Sequence, residues 1–400
     1  MIVYFMVRQK NRSKSRSSVA YTRIKVVGVG GAGCSTIQRM TEAKIPNIEY
    51  IAVNTDSQSL QSLAESIKKI RIGKVLTKGL GTGGDVELGQ AAAGQNTREI
   101  KEVLKNADII FITAGFGGGA GTGASPLIAD LASQTKALTI AIVTKPFTFE
   151  GLQRRLIAEQ GLKKMANRVD ALITISNNKL LRVIDRSTPI LEAFNIADEV
   201  LKQGIQAVFD ILNVSGLINV DFADIKPILQ GAGNTFLGIG RASGKDRAHQ
   251  AVKNALKNPL MNVSAKGADG VIFVITGSPD LKMVEVNEIA EIITKQINSR
   301  AKIVFGAVID DKLKDEIKIT LIAAGFNRSR HYGFAIQSLV KGEEEQDYKQ
   351  GSSVDARKVF VYKDEGENEK KEKGKKSESD FYFEDELEIP AFLRKKMRKK

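Results

Sequence analysis

Short apolar runs alternate with longer amphipathic segments through the first half of the chain. RIKVVG at 23–28 reads as a buried strand, 31–41 as the helix that follows it, and 50–54 as a second strand. A helical region in two pieces is expected over 85–106. ADIIFITA at 107–114 then reads as a strand, 123–134 as a helix, 137–144 as a strand, 149–167 as a helix and 170–175 as a strand. Strands that alternate with helices in this way predict an α/β fold with a parallel, doubly wound, Rossmann-type sheet.

The second half reads differently. One helical pattern runs over 190–213 without a proline after Pro189. It is longer than the usual globular helix of about 11–12 residues, so it is expected to link two domains. Beyond 231, strands at 270–276, 302–308 and 316–324 surround helices at 244–257 and 284–298. That is the pattern of a smaller α+β domain with a mixed sheet. Residues 341–380 are rich in Glu, Lys, Gly and Ser and read as a flexible linker. The apolar patch VFVY at 359–362 has no evident partner in that reading. Past the linker come FYF at 381–383, an acidic stretch and IPAFL at 389–393. A short apolar segment after such a linker reads as a docking peptide, because it can bury itself only against a partner. The expected division is therefore 1–22, a disordered basic extension; 23–190, a nucleotide-binding domain; 191–218, the central helix and its end; 219–335, the α+β domain; 336–380, linker; and 381–400, docking peptide with a basic end.

Composition changes little. The chain has 400 residues, 42% of them hydrophobic, which suits a soluble protein of two domains with tails. No apolar run approaches the roughly 18 residues that span a bilayer. The apolar start at 1–6 is too short for a signal core and precedes the basic residues, so a cytoplasmic location is expected. The single Cys34 excludes an intramolecular disulfide. The net charge of +14 is misleading, because the unopposed cations of 1–23 and 394–400 supply all but two of those charges. A nearly neutral folded body gives no sign of specific nucleic-acid binding.

The chemistry sits in two glycine-rich loops, each expected between a strand and a helix: Gly28-Val29-Gly30-Gly31-Ala32-Gly33, and 115–123 (GFGGGAGTG). Backbone amides at a helix start form an anion site, and glycine lets a ligand approach them. Gly28-x-Gly30-x-x-Gly33 matches the dinucleotide fingerprint, and Asp56 follows Gly33 by 23 positions, near where a ribose-binding acid belongs. An NAD oxidoreductase is thus one reading. The second loop argues against it, since a dinucleotide fold needs one phosphate loop. Gly28-x4-Gly33 also looks like a P-loop whose lysine is missing, because Cys34-Ser35 follows. A triphosphate bound here would rely on amides, helix N-termini and Mg²⁺.

The 117–123 segment, GGGAGTG, is similar to the GGG(T)G(S/T)G signature of the tubulin/FtsZ family. NVDFAD at 219–224 resembles the loop that FtsZ proteins insert into a neighbour's nucleotide site. TKPFTFEG at 144–151 and IPAFLRK at 389–395 resemble two further FtsZ segments. The resemblance runs over 25–326 and resumes at the C-terminal end. It implies a tubulin-like fold: an N-terminal GTPase domain, a long central helix and a smaller C-terminal domain. It implies GTP with Mg²⁺ as ligand, a head-to-tail homopolymer and a role in the bacterial cytokinetic ring at mid-cell. It implies membrane adaptors and other division proteins as partners of Ile389, Pro390, Phe392 and Leu393.

By motif, the resemblance assigns phosphate contacts to Gly31, Ala32, Gly33, Cys34 and Ser35, and to Gly117, Gly118, Gly119, Ala120, Gly121, Thr122 and Gly123. Asn54, Asp56, Gly81, Gly83 and Gly84 form further phosphate-side loops. Glu150 and Arg154 fall to the ribose and its phosphate. Asn177, Phe194 and Asp198 fall to guanine, with Asp198 as acceptor and Phe194 as stacking surface. Asp221 and Asp224, supported by Asn219, fall to the next subunit's γ-phosphate and its attacking water.

Read as residues alone, several of these have plainer alternatives. Glu150 and Arg154 are spaced for a surface ion pair. Asp221 and Asp224 could cap a following helix. Cys34 reads as a small packing residue, and His249 and His331 as surface or packing residues. The chain also departs from the family at Ser35, Asp85, Ala120 and Asn178, where Asn, Asn, Thr and Asp are usual. A carboxylate at Asp85 beside a triphosphate would be unfavourable unless it faced water or Mg²⁺. A non-hydrolysing or weakly hydrolysing tubulin-like cytoskeletal relative is therefore a second reading.

Overall fold

The computed structural model describes residues 22–42, 48–181, 188–213, 216–218, 220–261 and 263–326. The basic extension, the linker with its 359–362 patch, the docking peptide, Asn219 and His331 lie outside them.

The first domain is a seven-stranded sheet: β1 (Ile24–Val29), β2 (Ile48–Asn54), β3 (Lys68–Arg71), β4 (Ile109–Gly115), β5 (Leu138–Lys145), β6 (Ala171–Ser176) and β7 (Gly233–Asn234). Every pairing is parallel, in the order β3-β2-β1-β4-β5-β6-β7. Its helices are α1 (Gly30–Glu42), α2 (Ser57–Gln61), α3 (Lys74–Thr77), α4 (Val86–Gln95), α5 (Thr97–Leu104), α6 (Gly119–Ser133), α7 (Leu152–Ala166) and α8 (Asn177–Leu180). The central strands are apolar on both faces, as a sheet covered on both sides requires: no residue of Ile109–Ala114 is even partly exposed.

The long helix α9 (Ile190–Asn213) leads to α10 (Phe222–Leu229) and the second domain. There β8 (Phe236–Ser243), β9 (Gly270–Gly277), β10 (Lys302–Ile309) and β11 (Glu316–Ala324) form a mixed sheet in the order β10-β9-β11-β8, with α11 (Arg247–Leu256) and α12 (Met283–Gln296). Leu201, Ile205 and Val208 of α9 belong to a continuous apolar core that contains Ile140 of β5 and Leu321 of β11. Gly204 lies between Ile142 of the first sheet and Leu237 of the second. The central helix is thus shared by both sheets.

The structure corrects three expected helix bounds and adds a strand. The helix expected from 123 begins at Gly119, inside the glycine loop. The helix expected over 149–167 is divided at Gly151 (φ +99°) into a 3₁₀ turn, Thr148–Glu150, and α7. The helix expected over 244–257 is shorter, Arg247–Leu256. The seventh strand of the first sheet comes from beyond the central helix. Asp170 fixes that return, since its carboxylate accepts from the Gly231 and Thr139 amides at 3.1 and 2.9 Å.

Ile205 is fully buried where the two sheets share α9. Ile205→Ala should destabilise the folded body by about 2–5 kcal/mol. Unfolding in urea, followed by far-ultraviolet dichroism and by a probe in the second domain, should give coincident transitions that shift together. Separate transitions would contradict a shared core.

Candidate functional site

The order β2-β1-β4-β5 reverses direction between β1 and β4, because β1 pairs with both β2 and β4. Connections leave to opposite sides at such a point, and a crevice opens at the strands' carboxyl ends. Both glycine loops start there, one after β1 and one after β4. Gly30 adopts φ +70°, which disfavours other residues, and a Cβ on it would press on the Gly121 backbone. The two loops therefore pack against each other. The cavity of about 350 Å³ above them is lined by the starts of α1 (Gly30, Gly31, Ala32) and α6 (Gly119, Ala120, Gly121). Neither helix has an acid in its first turn. Two uncapped helix starts thus present amides and positive dipole ends to one space, which suits a polyphosphate.

Asn54, Thr55 and Asp56 close this end, with Gly81 and Thr82. The Asp56 carboxylate is already engaged. It caps α2 by accepting from the Gln58 and Ser59 amides, and it accepts the Ser59 hydroxyl at 2.8 Å. These bonds, the Ser59 hydroxyl foremost, hold its carboxyl below the usual range. The Thr55 hydroxyl is buried without a protein partner and belongs to the cavity wall.

Glu150, Arg154, Asn177, Phe194 and Asp198 line the other end. Arg154 and Glu150 form an ion pair at 2.7 Å, and Glu150 also accepts the Phe147 amide at 2.9 Å. The surface-pair reading and the cavity position are therefore both satisfied. Phe194 stands edge-on to the buried Phe147, with centroids 5.5 Å apart, which leaves ring surface for a planar ligand. The Asn177 side-chain oxygen is buried without a partner. Asp198 on α9 faces Arg39 of α1, with Nε to Oδ2 at 3.5 Å. Burial is the main influence on its carboxyl, which is pushed up to about 6 against the opposing pull of Arg39. One end of the cavity thus suits phosphate, and the other offers an acceptor, a ring and an unpaired amide.

Other assigned residues do not line this cavity. Gly33 and Cys34 face inward: a Cβ on Gly33 would overlap the Thr113 carbonyl, and Cys34 is buried against Gly28. Ser35 is exposed on α1, and Gly83 and Gly84 lie beyond the wall. Gly117, Thr122 and Gly123 are structural. The Thr122 hydroxyl accepts the Gly117 amide at 2.9 Å, and Gly123 lets α6 touch the backbone of α4. Asp221 and Asp224 are exposed at the start of α10, and neither lines the cavity. Asp224 accepts the Asp221 amide at 3.4 Å, so the capping role is real. His249 is a surface residue beside Asp246.

Thr55, Ser59, Thr82, Thr144 and Pro146 line the cavity without having been singled out. Thr55 and Thr144 lie at the carboxyl ends of β2 and β5, the position that should have flagged them. Two departures from the family pattern also gain reasons. Asn178 accepts the Thr148 amide at 2.6 Å and so holds the turn that carries Glu150. Asp85 caps α4 by accepting the Leu88 amide at 3.0 Å, outside the cavity wall.

Asp85→Asn should therefore leave nucleotide affinity within twofold and stability nearly unchanged, because Asn caps as well as Asp; titration with a fluorescent nucleotide and thermal melting check this. The Cys34 thiol is pushed up to about 12, chiefly by burial. It should resist a thiol reagent at pH 8 in the folded protein and react at once in denaturant.

The comparisons agree with this geometry. Residues 23–185 match the model of the Tubulin/FtsZ family, GTPase domain, and residues 233–327 that of the FtsZ family, C-terminal domain. An FtsZ dimer from M. jannaschii superposes with a TM-score of 0.72 at 38% identity, covering 78% of this chain and 90% of that one. CetZ2 from Haloferax volcanii, a GTPγS-bound protofilament, gives 0.67 at 23% identity, covering 80% and 100%. CetZ1 from the same organism, a GDP-bound monomer, gives 0.68 at 19% identity, covering 80% and 99%; both CetZ likenesses speak for the fold alone. A cavity framed by two glycine-led helix starts, matched across both domains at this identity, means that the chain belongs to the tubulin/FtsZ family of GTPases.

Proposed function

We propose that this chain is a GTP-dependent filament protein of the cytokinetic ring, hydrolysing GTP between head-to-tail subunits. The observation that carries this reading is the separation of two parts. The cavity holds phosphate-binding helix starts but no uncommitted acid at that end, whereas Asp221 and Asp224 stand exposed outside it. A site so divided is completed by the α10 start of a second copy.

In this mechanism the amides at the starts of α1 and α6 take the phosphates. Glu150 and Arg154 hold the ribose side, Phe194 stacks on the base, and Asp198 accepts from the guanine N1 and N2 donors. The neighbour's Asp221 and Asp224 orient the attacking water. Catalysis is positioning plus charge stabilisation. Mg²⁺ bound with GTP would neutralise phosphate charge. Such an ion, bound with GTP, would be held mainly by phosphate oxygens and water.

The partners and place of action in this reading follow from the same family. The chain acts in the cytoplasm, on the inner face of the membrane at mid-cell. Residues 389–393 engage membrane adaptors and other division proteins. Among the described residues no helix is long and apolar enough to cross a membrane. A second reading, a weakly hydrolysing cytoskeletal relative, is favoured by Ala120, which offers no hydroxyl in the phosphate wall.

Three measurements test the proposal. GTP should bind in preference to ATP, and Asp198→Ala should remove about 1–3 kcal/mol of that preference; equal wild-type affinities would refute guanine recognition. Phosphate release per molecule should rise from near zero above a threshold protein concentration. Asp224→Ala should bind GTP normally, co-sediment with wild type and depress wild-type turnover, since each mutant subunit silences the site it caps. Turnover that is independent of concentration, with no poisoning by co-assembled mutant, would place the whole site in one subunit.

A further inference from the structure

Arg39 has no place in the mechanism above and does not line the cavity, yet it faces Asp198, which does. It stands in the last turn of α1, the helix whose first turn frames the phosphate end. Its Nη2 donates to the Asn195 side-chain oxygen at 2.6 Å, and its Nε lies 3.5 Å from Asp198 Oδ2. That Nε is buried and makes no hydrogen bond. The guanidinium is therefore anchored on one residue of α9 and offers a free donor and a charge to another, one turn further on.

We propose that Arg39 is a positioning residue for base recognition: by facing Asp198 from α1 it keeps that carboxylate ionised, and so an acceptor for a purine's ring N–H and amino group, near neutral pH. The inference rests on the reading that Asp198 contacts guanine. A protonated Asp198 would present a donor toward guanine donors and lose the match. Burial alone favours the protonated form, and an opposite charge at close range counters it. Among the described residues, Arg39 is the one charged group that acts appreciably on Asp198. The other charges around it are committed elsewhere: Glu150 to Arg154 across the cavity, Asp56 to the cap of α2, and Glu199 to Lys202 on α9 itself. With Asp198 titrating at about 6, little stands between it and protonation at cellular pH once Arg39 is removed.

The test is the pH dependence of GDP affinity, measured by calorimetry on the full chain from pH 5.5 to 8.5, with ADP as the control. GDP avoids turnover. Binding that requires ionised Asp198 weakens tenfold per pH unit below its midpoint. Wild-type affinity should therefore fall below about pH 6. Arg39→Gln should move the midpoint up by about one unit. That costs about fivefold in affinity at pH 6 and less than twofold at pH 8.5. Arg39→Lys, which keeps the charge and much of the stem, should return the midpoint toward that of wild type. Melting curves at pH 7 confirm that each variant is folded. If Arg39→Gln weakens GDP by the same factor at every pH, or leaves the profile unmoved, Arg39 only clamps α1 to α9 and the proposal is overturned. The underlying reading fails in a different way: wild type would bind ADP as tightly as GDP, or Asp198→Asn would keep the wild-type profile.

Discussion

Everything in the site depends on the reversal of strand order between β1 and β4. A parallel sheet must send its connections over one face or the other, and where the direction changes no helix covers the strand ends. Two neighbouring strands then deliver two helix starts to one crevice. The unpaired amides at those starts need partners, and a polyphosphate supplies them without any basic side chain. This explains how the loop after β1 can lack the P-loop lysine. The second loop is brought against the first at Gly30 and Gly121, so in the proposed site its amides stand in for that lysine.

The second constraint is α9. It provides the wall that carries Phe194, Ala197 and Asp198, and its other surface is buried in the core common to both sheets. Asp198, the acceptor in the proposed base recognition, is thus on the helix that precedes α10 and its exposed acids. The helix is long because it must cross from the edge of the cavity to the second sheet. It packs beside α1, and Arg39 reaches across to Asn195 and Asp198. Besides their packing, α1 and α9 are joined by Arg39, through a hydrogen bond to Asn195 and a charge contact with Asp198.

Much of this was legible in the chain. Unbroken apolar runs such as ADIIFITA and glycine loops at their ends imply buried parallel strands with anion sites, because only such a sheet hides both faces of every strand. The uninterrupted pattern over 190–213 implied the central helix, which the structure bounds at Ile190 and Asn213. Other elements were illegible for physical reasons. β3 reads KKIR, since an edge strand buries one residue, Ile70, and leaves its lysines in water. β7 is two residues long and exists only through its pairing with β6. β8 carries Gly238 and Gly240 where the backbone of α11 approaches it, so its apolar alternation is interrupted.

Within the site the division is finer. Sequence by itself pointed to the segments that form the cavity, the glycine loops through their own spacing and Asn54, Asp56, Glu150, Asn177 and Asp198 through the family resemblance. Only the tertiary structure decided which atoms of those segments face the ligand. Gly33, Thr122 and Gly123 belong to the same loops as Gly31 and Ala120, yet they turn inward, because the first residues of each helix start face the crevice and the winding of the helix then carries the next ones into the packed interior. The pairing of Arg39 with Asp198 was equally invisible. The two residues lie 159 positions apart in the chain and meet only because α1 and α9 pack side by side on the same face of the sheet.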